Sequence, residues 1–458
     1  MKSSYVLLGI LAITIAAFSP VLQGEFLAYD DELLILDNPT AHGLSATNIV
    51  NALSTYDPEL YIPLTLLTYQ IEWSMVGANP LLYHITNLAL HLLSVSFVFL
   101  ILRRFFDLKI AAVCTLLFAI HPLQTEAVGW LAGRKDLLAS MFFLASTHTY
   151  LSNKRKISIA LFLCGLLSKV SVFPLPLCLI LIDWVQENDI RMKDKLPYFA
   201  LSVIFVTIAF IGKSTQASGL LTAIILSPAG ILLTTKHIIW PVGLTILYPF
   251  VDAVSLTNTR VLSGAALMIL MVAICAVTWK KNRMITFGIV WFILMLSPSL
   301  LNVQRGGELG VPDIYLTSDR YAYLALLGPM FLLGTLYKKI REEWAIGLVI
   351  MCCILTFRQS WYWQNSNSLF ERVIHVGQPS HVAYTNVAGF TARNGNLEEA
   401  ESLFEKSLEI RTTTRVLFNL AQIKTHLGKK NEALALYRAL LEITPEDNEA
   451  RSKMNALL

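Results

Sequence analysis

An all-α polytopic membrane bundle followed by a short helical-repeat domain is the fold that this sequence predicts, on three observations. Of 458 residues 55% are apolar and only 15% charged, with a mean hydropathy of +0.57, whereas soluble domains carry about a quarter charged residues. Apolar runs alternate with short polar loops up to residue 358. Beyond it lie about a hundred residues of ordinary charged, helix-forming sequence with an internal period. These features exclude a wholly soluble chain and a disordered one. The net charge of +4 is too small to suggest nucleic acid as a partner. All six cysteines sit inside apolar runs, none at metal-ligand spacing, and read as small hydrophobes.

Eleven membrane spans are expected: 5–22, 81–102, 110–120, 137–151, 157–168, 172–184, 197–211, 261–279, 285–301, 321–337 and 344–357. The first lacks a small-x-small cleavage site ahead of Gln23 and reads as a retained helix. Several spans hold only 11 to 15 residues, short of the ~20 that cross a ~30 Å hydrocarbon core. Short spans persist where they end at an internal water-filled cavity, so the bundle should enclose one.

Basic residues orient these helices. Lys2, Arg103, Arg104 and Lys109, with the clusters at 154–156, 191–195, 280–283 and 338–341, put 16 cations on one side against nine on the other through Arg358. The first large loop, 23–80, has eight acidic residues and no Lys or Arg. The positive-inside rule then places the N-terminus in the cytosol and that loop outside. Eleven crossings also put the C-terminal domain outside, provided that 212–260 makes no net crossing.

The two expected domains are 1–358, in the membrane, and 359–458, a tetratricopeptide-like repeat. With a period of 33, Asn386 recurs as Asn419, Gly395 as Gly428, Ala400 as Ala433 and Phe404 as Tyr437; Pro379 recurs as Pro445 after two periods. Small residues where two helices meet and an aromatic in the second helix fit that pattern. Two units are too few to be stable alone. The domain is either a plain pair of helical hairpins or a docking surface for an extended peptide.

Three groups of residues carry chemistry. Asp30 and Asp31 follow the first helix at the membrane surface. Adjacent carboxylates repel, which raises one pKa and leaves a group able to take a proton near neutral pH. Next, His121, Glu126, Arg134, Lys135 and Asp136 crowd into 16 residues between two short apolar helices, where charges are costly unless paired or functional. His84, Asn87 and His91 share one helical face and read as hydrogen-bonding bridges between helices. Lys169, Asp319, Arg320 and Tyr321 fall at the same outer side.

The combined pattern resembles the membrane mannosyltransferases with C-terminal tetratricopeptide repeats and their prokaryotic relatives, within the multi-spanning GT-C glycosyltransferases. The matching stretches are Tyr29-Asp30-Asp31, Asn38-Pro39, Tyr61-Ile62-Pro63, Asn79-Pro80 to His91, His121-Pro122 to Asp136, Ser168-Lys169 and Ser318-Asp319-Arg320-Tyr321. Val170 stands where the family tends to have Glu, and Ala325 where Pro is usual. The resemblance implies transfer of a sugar, mannose in the eukaryotic members, from a polyprenyl-phosphate carrier to a hydroxyl of a protein or glycan. Phosphate is a good leaving group once its charge is balanced, so one carboxylate base and a set of cations suffice. Asp30 is expected as the base with Asp31 assisting, and Arg134, Lys169 and Arg320 on the phosphate. His121, Glu126, Asp136, His84, Asp319 and Tyr321 are expected to shape the site. No cofactor is required; the competing role for Asp30 and Asp31 is to hold a divalent cation. The expected location is a bacterial cytoplasmic membrane. Two rival readings are a transporter or flippase, which lacks support from any inverted repeat, and an assembly scaffold working through the repeats.

Overall fold

A computed structural model describes residues 3–57, 60–187, 189–212, 219–308, 311–339 and 341–458. Lys2, Glu59 of the acidic loop and residues 213–218 of the 212–260 stretch lie outside the described residues. The chain divides into two compact units. One comprises 1–244, 253–303 and 317–365; the other comprises 245–252, 304–316 and 366–458. The second unit takes up the chain from Ser366 and also includes two segments from within the first 358 residues.

The first unit is a helical bundle. Seven described helices are long and apolar enough to cross a membrane. Six match expected spans: Ser3–Gln23, Pro80–Leu102, Met192–Gly212, Thr259–Lys281, Arg283–Leu300 and Glu342–Trp361. The seventh, Leu220–Ile239, is a single 20-residue helix in the stretch expected to make no net crossing. Leu108–Ala119 and Pro122–Gly129, bent by 48° at the break, form either a broken span or a re-entrant loop. By length and composition, seven or eight of the described helices can thus cross a membrane. The remaining candidates are helices, but Arg134–Leu151 opens on three charged residues, and Arg155–Ser168, Leu175–Val185 and Leu327–Leu336 are short.

Local sequence sets the helix starts. Asn79, Asp107 and Asn258 each accept a backbone N–H of the first turn, satisfying donors that have no partner within the helix. Phe99, Phe118, Phe143, Trp291 and Phe331 are buried in the bundle's core. On Thr259–Lys281 only Val261 and Gly264 are buried, while Ile269 and Val272 point outward. An apolar outer surface is what a lipid-facing helix requires. The protein is a multi-pass membrane protein.

The second unit is built on helix pairs, His381–Arg393 with Leu397–Ile410 and Thr414–His426 with Lys430–Ile443. Gly395 and Gly428, one period apart, both turn the chain at positive φ, +86° and +76°, where a side chain would be strained. Ala400, Ala433, Phe404 and Tyr437 are buried between helices, as the repeat pattern requires. The caps repeat too: Ser380, Thr413 and Asp447 each accept the N–H three residues on. Asn448–Leu457 thus opens with the same kind of cap as the helix pairs before it. The all-α expectation omits one feature, an antiparallel hairpin of Gln304–Glu308 and Val311–Ile314. Its Asp313 receives His381 Nε2 at 3.0 Å and also pairs with Arg411.

Candidate active site

The block from His121 to Asp136 is where the bundle carries its polar chemistry. The helix from Leu108 ends at Ala119, and Pro122 opens a new turn at an angle to it. A tight turn, Leu131–Gly133, then leads into the helix starting at Arg134. Gly133 is obligatory there, since a Cβ would lie 2.8 Å from the Ala127 carbonyl oxygen.

Asp30 and Asp31 lie just ahead of a one-turn π-helix, Glu32–Leu36, in different environments. The Asp30 side chain is 43% exposed, with Lys135 Nζ 3.9 Å from its carboxylate. Asp31 is fully buried. Its Oδ2 accepts the Leu27 N–H at 2.9 Å and its Oδ1 the Ala132 N–H at 2.8 Å. Burial raises the Asp31 pKa from 3.8 to about 7, against the downward pull of those two N–H groups. Repulsion from Asp30 is a lesser contributor, so desolvation rather than the expected pairing of carboxylates dominates.

Arg134 does not face the outer cleft. It is fully buried, paired with Glu72 at 2.9 Å, donating to the Tyr83 carbonyl at 2.9 Å and to Thr68 Oγ1 at 3.2 Å, and bonded to Asn87 Oδ1. A guanidinium so fully engaged has no free face for a phosphate, which removes Arg134 from the expected set. The adjacent Lys135 lies 100° round the helix. Its ammonium lies over the Trp130 ring, 4.9 Å from the centroid.

Around Trp130 the cations converge. Arg320 lies 4.9 Å from the Trp130 centroid and 4.9 Å from that of Tyr321. Its guanidinium pairs with Glu126, which also accepts the Arg320 backbone N–H at 3.1 Å. Lys169 pairs with Asp136 at 2.6 Å and lies over Tyr321 at 5.6 Å. Tyr29 packs on Trp130 with ring centroids 5.3 Å apart. Arg320 Nε and Trp130 Nε1 are buried donors with no hydrogen-bond partner among the described residues. Such donors are costly to leave unmade unless a ligand meets them.

The other expected residues lie elsewhere. Asp319 is 3.5 Å from His237. His121 accepts the Leu123 N–H at Nδ1 and lies 3.1 Å from the Ile238 carbonyl at Nε2. His84 is buried against Gly24. Asn87 and His91 bridge helices as expected: Asn87 donates to the Trp130 carbonyl at 2.9 Å, and His91 meets Tyr323 and the Ala119 carbonyl. Among the described residues no three His, Cys, Asp or Glu side chains group as a metal would require, and both Asp31 oxygens already accept N–H groups. Lys135 and Trp130 are the residues that sequence reasoning did not select, although both sit in the block it singled out.

The Tetratricopeptide repeat family matches residues 380–446. Protein O-mannosyl-transferase TMTC3 of Homo sapiens is 22% identical over 491 residues, covering 91% of this chain and 53% of that protein. Protein O-mannosyl-transferase F38B6.6 of Caenorhabditis elegans is 22% identical, covering 88% and 62%. Over a shorter stretch, 28% of this chain and 16% of the relative, Protein O-mannosyl-transferase TMTC1 of Homo sapiens is 32% identical. The chain spans about half the length of the first of these relatives. A solved oligosaccharyltransferase of Archaeoglobus fulgidus aligns with 87% of this chain and 58% of its own at 14% identity, with a TM-score of 0.39. Over most of its length, then, the chain is similar to protein O-mannosyl-transferases at 22% identity, and a tetratricopeptide repeat occupies residues 380–446.

Proposed function

We propose that this protein is a GT-C-type glycosyltransferase that moves a hexose, mannose as in its relatives' names, from a polyprenyl-phosphate carrier to a hydroxyl of an acceptor protein. Asp30 acts as the base. Its carboxylate takes the proton of the acceptor hydroxyl as that oxygen attacks the anomeric carbon. The bond from that carbon to the phosphate oxygen breaks, and the carrier phosphate leaves with the electron pair. Lys135, Lys169 and Arg320 bind the phosphate and hold the charge it gains, which is the largest electrostatic demand of the step. Glu126 and Asp136 orient two of those cations, and Trp130 and Tyr321 present aromatic faces between them. With the phosphate so balanced the step needs no cofactor. A divalent cation on the acidic pair is the competing arrangement, and it alone predicts loss of transfer on chelation. The reaction runs on the outer side of a bacterial cytoplasmic membrane, with the N-terminus in the cytosol; with Leu220–Ile239 making no net crossing, the repeats also lie outside, where they dock the acceptor.

One observation carries this reading: an exposed carboxylate stands beside cations grouped on one aromatic platform, two of whose buried donors have no partner among the described residues. Membranes supplied with a labelled polyprenyl-phosphate sugar should incorporate label into protein. Asp30→Asn should reduce this about 10²–10⁴-fold, the range of a general base, with folding unchanged. Undiminished incorporation would remove Asp30 from the role, and carrier movement without a new glycosidic bond would favour a transporter.

A further inference from the structure

We infer that Asp31 is a positioning residue, the staple that holds the Asp30 segment against the turn carrying Trp130 and Lys135, and not a second base; this rests on the transfer reading above. The two oxygens of its carboxylate accept N–H groups from segments far apart in sequence, Leu27 at 2.9 Å and Ala132 at 2.8 Å. The turn is itself fixed from behind. Asn87 donates to the Trp130 carbonyl at 2.9 Å, and Tyr69 donates to the Leu131 carbonyl at 3.0 Å. Asn87 is in turn held by Arg134. The frame is therefore rigid on the bundle side, and Asp31 joins the catalytic loop to it.

A general base would need an oxygen that an acceptor hydroxyl can reach. Asp31 offers none: it is fully buried and both oxygens are engaged. Asp30, one residue earlier, is exposed beside Lys135. Division of labour between the two carboxylates follows from their surroundings alone. Asn at position 31 keeps the shape but has one acceptor oxygen, so its amide would confront one of the two N–H groups.

The experiment combines kinetics with amide hydrogen exchange on the full chain in lipid nanodiscs. In the wild type the Ala132 amide should exchange slowly. Asp31→Asn should speed exchange at Leu27 or Ala132 and lower kcat about 10–100-fold, as a misplacement of about 1 Å does, while the donor KM stays within about twofold. Asp31→Ala should open both amides and lower kcat further. Unchanged exchange in the variants, or faster exchange with unchanged kcat, would overturn the staple. So would rapid exchange of Ala132 in an active wild type, a measurement that requires no variant. A wild type that moves no sugar would instead sink the functional reading, whatever its Ala132 amide does.

Discussion

Arg134 and Lys135 are neighbours in the chain and opposites in setting. Arg134 is enclosed by Glu72, Asn87, Thr68 and the Tyr83 carbonyl, drawn from two other helices. Lys135 faces an exposed carboxylate at 3.9 Å and an aromatic ring, within the field of Lys169 and Arg320. The difference teaches how to tell a structural cation from a binding one. A charge whose hydrogen bonds are complete holds helices together, whereas Lys135, 3.9 Å from its carboxylate, keeps ammonium hydrogens that a ligand can meet.

The most severe test of that contrast is to remove one partner of the closed pair. Glu72→Ala should cost about 3–5 kcal/mol of stability, because it leaves a buried guanidinium uncompensated; thermal unfolding in detergent would measure this. Lys135→Ala should leave the unfolding midpoint nearly unchanged, and if both variants unfold alike the distinction fails. A comparable effect should appear with pH. Asp31 titrates at about 7 in the folded chain against 3.8 for the ordinary group, so between those values the folded state binds the extra proton. Stability should therefore fall as pH rises from about 4 to about 7 and level off above, by an amount on the order of 4 kcal/mol. Asp31→Asn should remove that slope, which can be followed by chemical unfolding at several pH values. Next in size, Lys135→Ala should raise the donor KM about tenfold, about 1.4 kcal/mol, where Arg134→Lys should act on stability instead. An effect of like size lies in the repeats: Gly428→Ala, at a φ of +76°, should cost about 1–2 kcal/mol, seen as a lower melting temperature with the sugar-transfer rate constant kept.

Much of this was legible in the sequence because it is written in composition and period. Apolar runs flanked by cations announce the bundle, and the recurrence of Gly395 and Gly428 announces the helix pairs. What was not legible depends on packing. Whether Arg134 or Lys135 faces the cleft is a question of helix rotation, and two adjacent cations read alike until Glu72 and Asn87 are placed beside one of them. Helices such as Arg155–Ser168 register in the sequence because they are apolar, although each is shorter than a full crossing. The apolar stretch 220–240 was legible, but the parity of the basic clusters argued for a re-entrant or interfacial segment or a pair of crossings, whereas the structure makes it one continuous helix. The hairpin at 304–314 left only the Gly306-Gly307 pair as a signal, within a stretch of few hydrophobic residues.

The recurring caps at Ser380, Thr413 and Asp447 have a consequence for how such chains lengthen. Because every unit opens with the same local instruction, a duplicated segment brings its own start signal and meets a neighbour shaped like the one it was copied from. Growth by whole modules then needs no redesign of the membrane half.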